Sequence, residues 1–396
     1  MLTKKVFSWA TYDLANTSFS ALIVTVFFPL IIKEFLGGNE FQIGLVMGLS
    51  LFLSALLVPL LGGLSDALKV KKPFIVIFTL FTIIATILIA YSNLWFALLF
   101  GLLANLFYHA SLDIYDSMLD DITDKKHLGK VSGIGTAFGY VGTILSLLLA
   151  AYFLNNFGWE TEIGTRIMFP LAGIFFFIFA IPLFLNYKEE HKKRMSLGKG
   201  IKKSFKEVRK TIKGIRKYKN VWLFLLASLI YVDSLNTVII FLFLFGKETL
   251  GLTVKAFFPI FGIMALAAIV GSLVFGWLSD HVGPKKSLVS ALIIWVFVIL
   301  LVIIKTNYVT YLLAGIIGGA LLGAIWTTTR PLLIKIAPKH KLTELFGFQG
   351  LTEKLGGIIG PVVFGALVVA FSYTAALISV LVMFVIGLAV LLKVDA

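Results

Sequence analysis

The segment ANLFYHASLDIYDSMLDD, residues 104–121, sets an asparagine, a histidine and a series of aspartates into a chain that is 59% hydrophobic. On a helix, at about 100° per residue, Asn105, His109, Asp113, Asp116 and Asp120 fall within an arc of roughly 80° and form one stripe. At about 1.5 Å per residue the stripe extends about 22 Å. A charge at the centre of a bilayer costs about 2.5 kcal/mol or more, so such a stripe must face protein or water. Its carboxylates repel one another, which makes Asp113 and Asp116 candidates to carry a proton. His109, one turn from Asp113, can relay or sense that proton. This is the chemistry of ion-coupled transport. At the lower end a plainer reading competes: Asp116, Asp120 and Asp121 lie at the water interface and pair with Lys125 and Lys126, and for Asp120 and Asp121 it is the stronger one.

A second set of polar residues recurs elsewhere. Asp13 and Asn16 lie about two turns from the Lys4 and Lys5 end of the first apolar segment, and Asp233 and Asn236 occupy the seventh. A buried aspartate beside an asparagine can coordinate an amine or a cation. Arg330 offers a planar fork for a carboxylate. Aspartates on one side and an arginine on the other suit a zwitterion such as an amino acid; equally, Arg330 neutralises Asp116 or Glu353 as a structural ion pair. Glu353 and Lys354 are expected at the interface between halves, and Trp326 and Tyr12 are candidates for cavity walls.

The elements that must position these groups follow from the apolar runs. Runs of about 20 residues, the length needed to cross a hydrocarbon core, recur from end to end of the 396 residues. We read twelve spans, centred near Thr25, Ser54, Thr82, Asn105, Gly142, Phe176, Val238, Ile269, Trp295, Leu321, Ile359 and Val382. A β-barrel is excluded, because its strands alternate polar and apolar residues over about ten positions. The segment after Lys4 and Lys5 is too long for a signal h-region and is expected to remain as the first span. The chain has no Cys, which excludes disulfides and thiolate metal sites. Basic residues concentrate in the turns on the side of the N-terminus, so both termini are expected in the cytoplasm.

Much of the net charge of +15 comes from residues 188–219, KEEHKKRMSLGKGIKKSFKEVRKTIKGIRKYK. Ile201, Phe205, Val208, Ile212 and Ile215 recur there at helical spacing, giving an apolar stripe on a cationic helix. We read it as a helix on the anionic inner leaflet, in preference to a regulatory or nucleic-acid site.

The chain also repeats itself. GGLSDALKVKK from Gly62 matches GWLSDHVGPKK from Gly276, and DLANT from Asp13 matches DSLNT from Asp233. Parallel six-span repeats are a construction of secondary transporters, with the substrate at the repeat interface. The doubled GxLSDxxxxKK resembles the signature loop of the major facilitator superfamily. WATYDLANTSFSALIVTVFFP, KVSGIGTAFGYVG, FAIPLFL and RPLLIKIAPKHKLTELFGFQGLTEKLGGIIGP further resemble the branch that includes vacuolar amino-acid effluxers linked to autophagy. The resemblance implies two six-helix bundles, with spans one, four, seven and ten around a central cavity and alternating access by rocking. It also implies a gating role for Asp66, Lys71, Lys72, Asp280, Lys285 and Lys286. From the residues alone, Asp66 and Asp280 fall near helix ends, where a carboxylate interacts with a helix N-terminus or adjacent lysines, so a salt-bridged turn is the competing account.

DDITD, at Asp120, Asp121 and Asp124, has the spacing of a magnesium-diphosphate motif, but the second half offers only TTTRP where the partner segment would fall. No GxSxG, HExxH or P-loop pattern occurs. The expectation is an all-α membrane protein of twelve transmembrane helices: a bundle over 1–187, a basic amphipathic linker over 188–219 and a bundle over 220–396. It is expected to be a monomeric, multi-pass transporter of the plasma (inner) membrane, with a small-molecule substrate, H+ as coupling ion, and no cofactor, metal, nucleic acid or enzymatic activity. The best substrate is an amino acid and the direction export. A lipid or drug exporter of the same fold and a non-transporting metabolite receptor are the alternatives.

Overall fold

The computed structural model describes residues 3–68, 70–118, 122, 128–187, 218–337 and 342–395. The linker at 188–217, Asp120, Asp121, Asp124, Lys125 and Lys126 lie outside the described residues, as do the side chains of Asp66 and Asp113. Among the described residues helix is the only regular structure. In chain order the helices are α1 Lys4–Phe35, α2 Glu40–Leu68, α3 Lys72–Ile89, α4 Leu94–Ser117, α5 Leu128–Phe157 and α6 Glu162–Asn186. There follow α7 Lys219–Leu250, α8 Val254–Val282, α9 Pro284–Ile304, α10 Tyr308–Ile336, α11 Leu342–Leu355, α12 Ile359–Ala370 and α13 Tyr373–Leu392. Eleven helical segments are long and apolar enough to cross a membrane, α11 and α12 together supplying one of them over Phe348–Ala370, and the start of α2, Glu40–Ala55, is a shorter apolar helix. These are the twelve expected spans, and the molecule is a multi-pass membrane protein.

The helix starts follow from short polar residues. Asn307 and Thr310 form a capping box at α10, with Thr310 N donating to Asn307 Oδ1 over 2.9 Å and Asn307 N to Thr310 Oγ1 over 3.0 Å. Thr161, Thr253 and Ser372 cap α6, α8 and α13 in the simpler manner. Arg166, in the first turn of α6, donates to the carbonyl of Ala90 over 2.6 Å and so satisfies the C-terminal end of α3. Beyond Phe19, α1 widens into π-helix over Ser20–Phe27 and Ile31–Phe35, with Pro29, which has no N–H to give, between them.

The chain divides into two compact units, Met1–Gly38 with Leu49–Arg209, and Asn39–Gly48 with Lys210–Ala396. Residues 39–48 therefore group with the second unit, although they precede the basic linker in sequence. The cause is a glycine seam: a Cβ at Gly44 would strike the carbonyl of Pro361, and one at Gly48 would lie 2.5 Å from that of Ile358. Tyr373 Oη also donates to Glu40 Oε1 over 2.8 Å. In the first unit α1 packs on α5 and α6, and α3 on α4 and α6; in the second, α8 packs on α10, and α7 on α11, α12 and α13.

Outward faces carry large apolar side chains such as Phe81, Leu148, Leu185, Leu273 and Phe297. Lipid covers such side chains as well as protein does, so cohesion between spans depends on close backbone approach. The α8–α10 contact shows this: Cβ atoms at Gly319 and Gly323 would overlap the carbonyls of Met264 and Ala268, and one at Gly271 that of Ala320. We expect Gly319→Val to destabilise the detergent-purified protein by about 1–3 kcal/mol, the usual cost of overpacking. Gly262→Ala, where a Cβ would meet nothing within 4 Å, serves as the matched control. Equal thermal midpoints for the two variants would refute the seam's contribution.

Candidate functional site

The α4 stripe runs from interior to surface. Asn105 is buried and its Nδ2 donates to Ser50 Oγ over 2.6 Å, tying α4 to α2. Its Oδ1 is buried without a hydrogen-bond partner. His109 is half-buried and meets the Tyr108 ring edge-to-face at 5.0 Å. Asp116 is exposed. Asn105 thus bonds to Ser50 inside the first unit. Ser50 has no helical-pattern signal of its own in the sequence and was not anticipated.

Asp13 stands on α1 among aromatic residues of the same unit. Trp9 stacks on Tyr115 at 4.4 Å and donates through Nε1 to the Tyr115 carbonyl over 3.1 Å. Tyr12 stacks on Tyr115 at 5.2 Å, and its hydroxyl is bonded to Thr79 Oγ1 over 2.7 Å. Tyr12 is fully buried and fastens α1 to α3 and α4. Asp13 itself is half-buried, and Asn16 Nδ2 donates to its Oδ1 over 3.0 Å. The carboxylate lies within electrostatic reach of Tyr108, Tyr115 and Tyr140 as well. The Tyr115 hydroxyl is buried and interacts with the Asp13 carboxylate.

The repeated aspartate in the second unit has a different surrounding. Residues 356–358 interrupt the helix between α11 and α12, with Gly357 at φ +121°, a backbone that favours glycine. Asp233, reaching across from α7, accepts from Gly357 N over 2.6 Å with Oδ1 and from Gly360 N over 2.8 Å with Oδ2. Asn236 Nδ2 donates to the Gly356 carbonyl over 2.7 Å. Both residues thus satisfy the backbone groups that a broken helix exposes. The donors freed by the break occupy both oxygens of Asp233. The GG before IIGP marks the break in the sequence, but only the partner's reach shows what it serves.

Trp326 and Arg330 are exposed one turn apart on α10. Glu353 accepts from Gln349 Nε2 over 2.8 Å within α11. In the second signature loop Lys285 Nζ donates to the Leu392 carbonyl at the end of α13 over 3.3 Å, while Asp280 and Lys286 are exposed. Lys285 therefore serves a helix C-terminus here, where the sequence suggested a partner for the loop's aspartate. Lys71 and Lys72 are half-buried at the start of α3. Among the described residues no group of three or more His, Cys, Asp or Glu is placed to hold a metal ion.

Comparison with known proteins agrees with this architecture. The family profile described as Major Facilitator Superfamily matches residues 14–271 and 260–396. The MFS-type transporter YxiO of Bacillus subtilis (strain 168) is 26% identical over 407 residues, covering 98% of this chain and 94% of that protein. The multidrug resistance protein MdtG of Salmonella arizonae is 24% identical, covering 93% of this chain and 89% of its own. A bacterial homolog of the human lysosomal transporter Spinster, solved in an inward-facing and unoccupied conformation, superposes with a TM-score of 0.77 at 16% identity, covering 99% of this chain and 97% of the other.

Proposed function

Because the chain belongs to the Major Facilitator Superfamily, we propose that it is a gradient-driven exporter of a small polar solute, with an amino acid as the leading candidate and protons as the coupling ion. The reading places it as a monomer in the plasma (inner) membrane, both termini cytoplasmic, with the 188–219 segment on the anionic leaflet. One observation carries it: a single helix, α4, bears Asn105 buried, His109 half-buried and Asp116 exposed on one face, a graded polar path through an otherwise apolar span. Asp113 lies on the same stripe and is the proton carrier in this scheme. Asp13 and Asn16 are the residues this reading assigns to the solute's amine. The amino-acid assignment draws further support from the resemblance to the vacuolar effluxer branch.

The test is counterflow in proteoliposomes loaded with unlabelled amino acids, with labelled amino acid outside and the proton gradient either imposed or collapsed. Labelled solute should enter loaded vesicles by exchange under both conditions, and should accumulate in unloaded vesicles only with the gradient. The MdtG relative supports a second reading, export of apolar drugs by the same fold. Expulsion of a lipophilic dye with no exchange of any amino acid would select it and reject the first. Saturable binding with no exchange of any solute would identify a receptor.

A further inference from the structure

In the second unit the ends of α7, α8, α9, α10 and α13 come together along one rim, on the side where the chain ends. Hydrogen bonds and close approaches join them in sequence. Asn220, beside Lys219 at the start of α7, donates through Nδ2 to the Asp395 carbonyl over 3.0 Å and accepts from Asp395 N over 3.2 Å. Lys285, at the start of α9, donates through Nζ to the Leu392 carbonyl, next to Lys393, over 3.3 Å. Lys335, in the last turn of α10, sets its Nζ 4.0 Å from where a Cβ would stand at Gly283, in the turn between α8 and α9. Lys219, Lys285, Lys286, Lys335 and Lys393 are thereby gathered into one arc, although they come from four helices.

Lys219, Lys286, Lys335 and Lys393 are exposed, and none of the five lysines forms an ion pair with a described residue. The carboxylates in the arc are those of Asp280 and Asp395, both exposed. Like charges in such excess repel one another, the more so beside a medium of low dielectric. The side chains next to the lysines are apolar and exposed as well: Trp277, Val282, Ile334 and Leu392. Trp277 stands one turn before His281, and the two rings lie 4.4 Å apart. The rim is thus the line at which the lipid-facing surface of α8, α10 and α13 gives way to positive charge. A lysine stem at such a boundary covers apolar surface while its ammonium turns to the polar side.

We propose that this arc is a binding surface for the head of an anionic phospholipid from the adjoining leaflet, with the acyl chains lying on the exposed apolar side chains beside it. Its charge is complementary to such a head, and each lysine near an anionic leaflet is worth about fivefold in affinity. A lysine ammonium has three donors, so Lys285 keeps two after its bond to the Leu392 carbonyl. A free phosphate would match the lysines but leave Trp277, Ile334 and Leu392 without a counterpart. A zwitterionic head would bring a positive charge up to the lysines and lose part of the attraction. The surface requires only that these helices cross a membrane, whichever solute the protein carries. It is distinct from the basic 188–217 segment, which lies outside the described residues.

The full-length protein in mixed micelles, titrated with phosphatidylglycerol brominated near the head of its acyl chains, tests this through the fluorescence of Trp277. Bromine quenches a tryptophan that it touches, and the part of the quenching that Trp277→Phe removes reports on this surface apart from lipid bound elsewhere. Half-quenching of that part should need about tenfold less phosphatidylglycerol than phosphatidylcholine brominated at the same position. Lys286→Gln, Lys335→Gln and Lys393→Gln combined should raise the phosphatidylglycerol requirement by about tenfold or more, whereas arginine at the same three positions should leave it unchanged. Inorganic phosphate should relieve the quenching no more than chloride at equal ionic strength does. Equal quenching by the two lipids, no quenching assignable to Trp277, a triple glutamine variant that matches the wild type, or specific relief by inorganic phosphate would each overturn the proposal. Should the triple variant not fold, wild-type quenching in the single variants Lys286→Gln and Lys335→Gln overturns it instead.

Discussion

Asp233→Ala is expected to be the most destabilising single change in the second unit, lowering stability by about 2–5 kcal/mol. The substitution leaves the N–H groups of Gly357 and Gly360 without their acceptors. Each buried donor so orphaned costs about 1–3 kcal/mol. Alanine also removes the carboxylate that holds α12 against α7, while in the break the Gly356 N–H already has its own acceptor, the Thr352 carbonyl at 2.7 Å. Asp233→Asn should lie between, since an amide keeps one acceptor but turns an N–H donor toward another donor. Asp13→Ala should cost less, because its carboxylate is half-buried and its neighbour α5 is an unbroken helix. Thermal unfolding in detergent, read by loss of monodisperse protein, ranks the three variants. An Asp233→Ala protein as stable as Asp13→Ala would show that the clamp contributes nothing.

Asp113→Asn is expected to abolish solute accumulation against a gradient while solute exchange stays measurable. The amide keeps the volume and polarity of the side chain but cannot take up or release a proton. Transport in this variant should run to equal concentrations on both sides of the proteoliposome membrane and respond to neither direction of an imposed pH gradient. His109→Gln should slow coupled flux without eliminating it, because the histidine relays a proton that Asp113 carries. Accumulation in Asp113→Asn equal to that of the wild type would remove Asp113 from the coupling role, and loss of exchange as well would make it a solute-binding group.

The spans were legible because lipid imposes a length: a helix needs about 20 apolar residues to cross, and no soluble-protein pattern imitates twelve such runs. The caps at Thr161, Thr253, Asn307 and Ser372 act locally, since an oxygen three residues before an N–H satisfies it wherever the helix goes. Less of the site could be read. Asn105, His109, Asp113 and Asp116 share a face by periodicity alone, yet nothing in that periodicity says that Asn105 is tied to Ser50 while Asp116 is exposed. Nor does the sequence say that the Tyr12 hydroxyl is bonded to that of Thr79, far away along the chain.

By itself, then, the sequence determined an all-helical membrane protein, its spans, its internal repeat and the residues that carry charge into the apolar interior. Those follow from hydropathy and spacing, which act along the chain. Tertiary structure alone decided the fates of the two repeated aspartates. Whether a carboxylate is consumed by backbone donors depends on a break in another helix more than a hundred residues away, and that proximity exists only once the unit has packed.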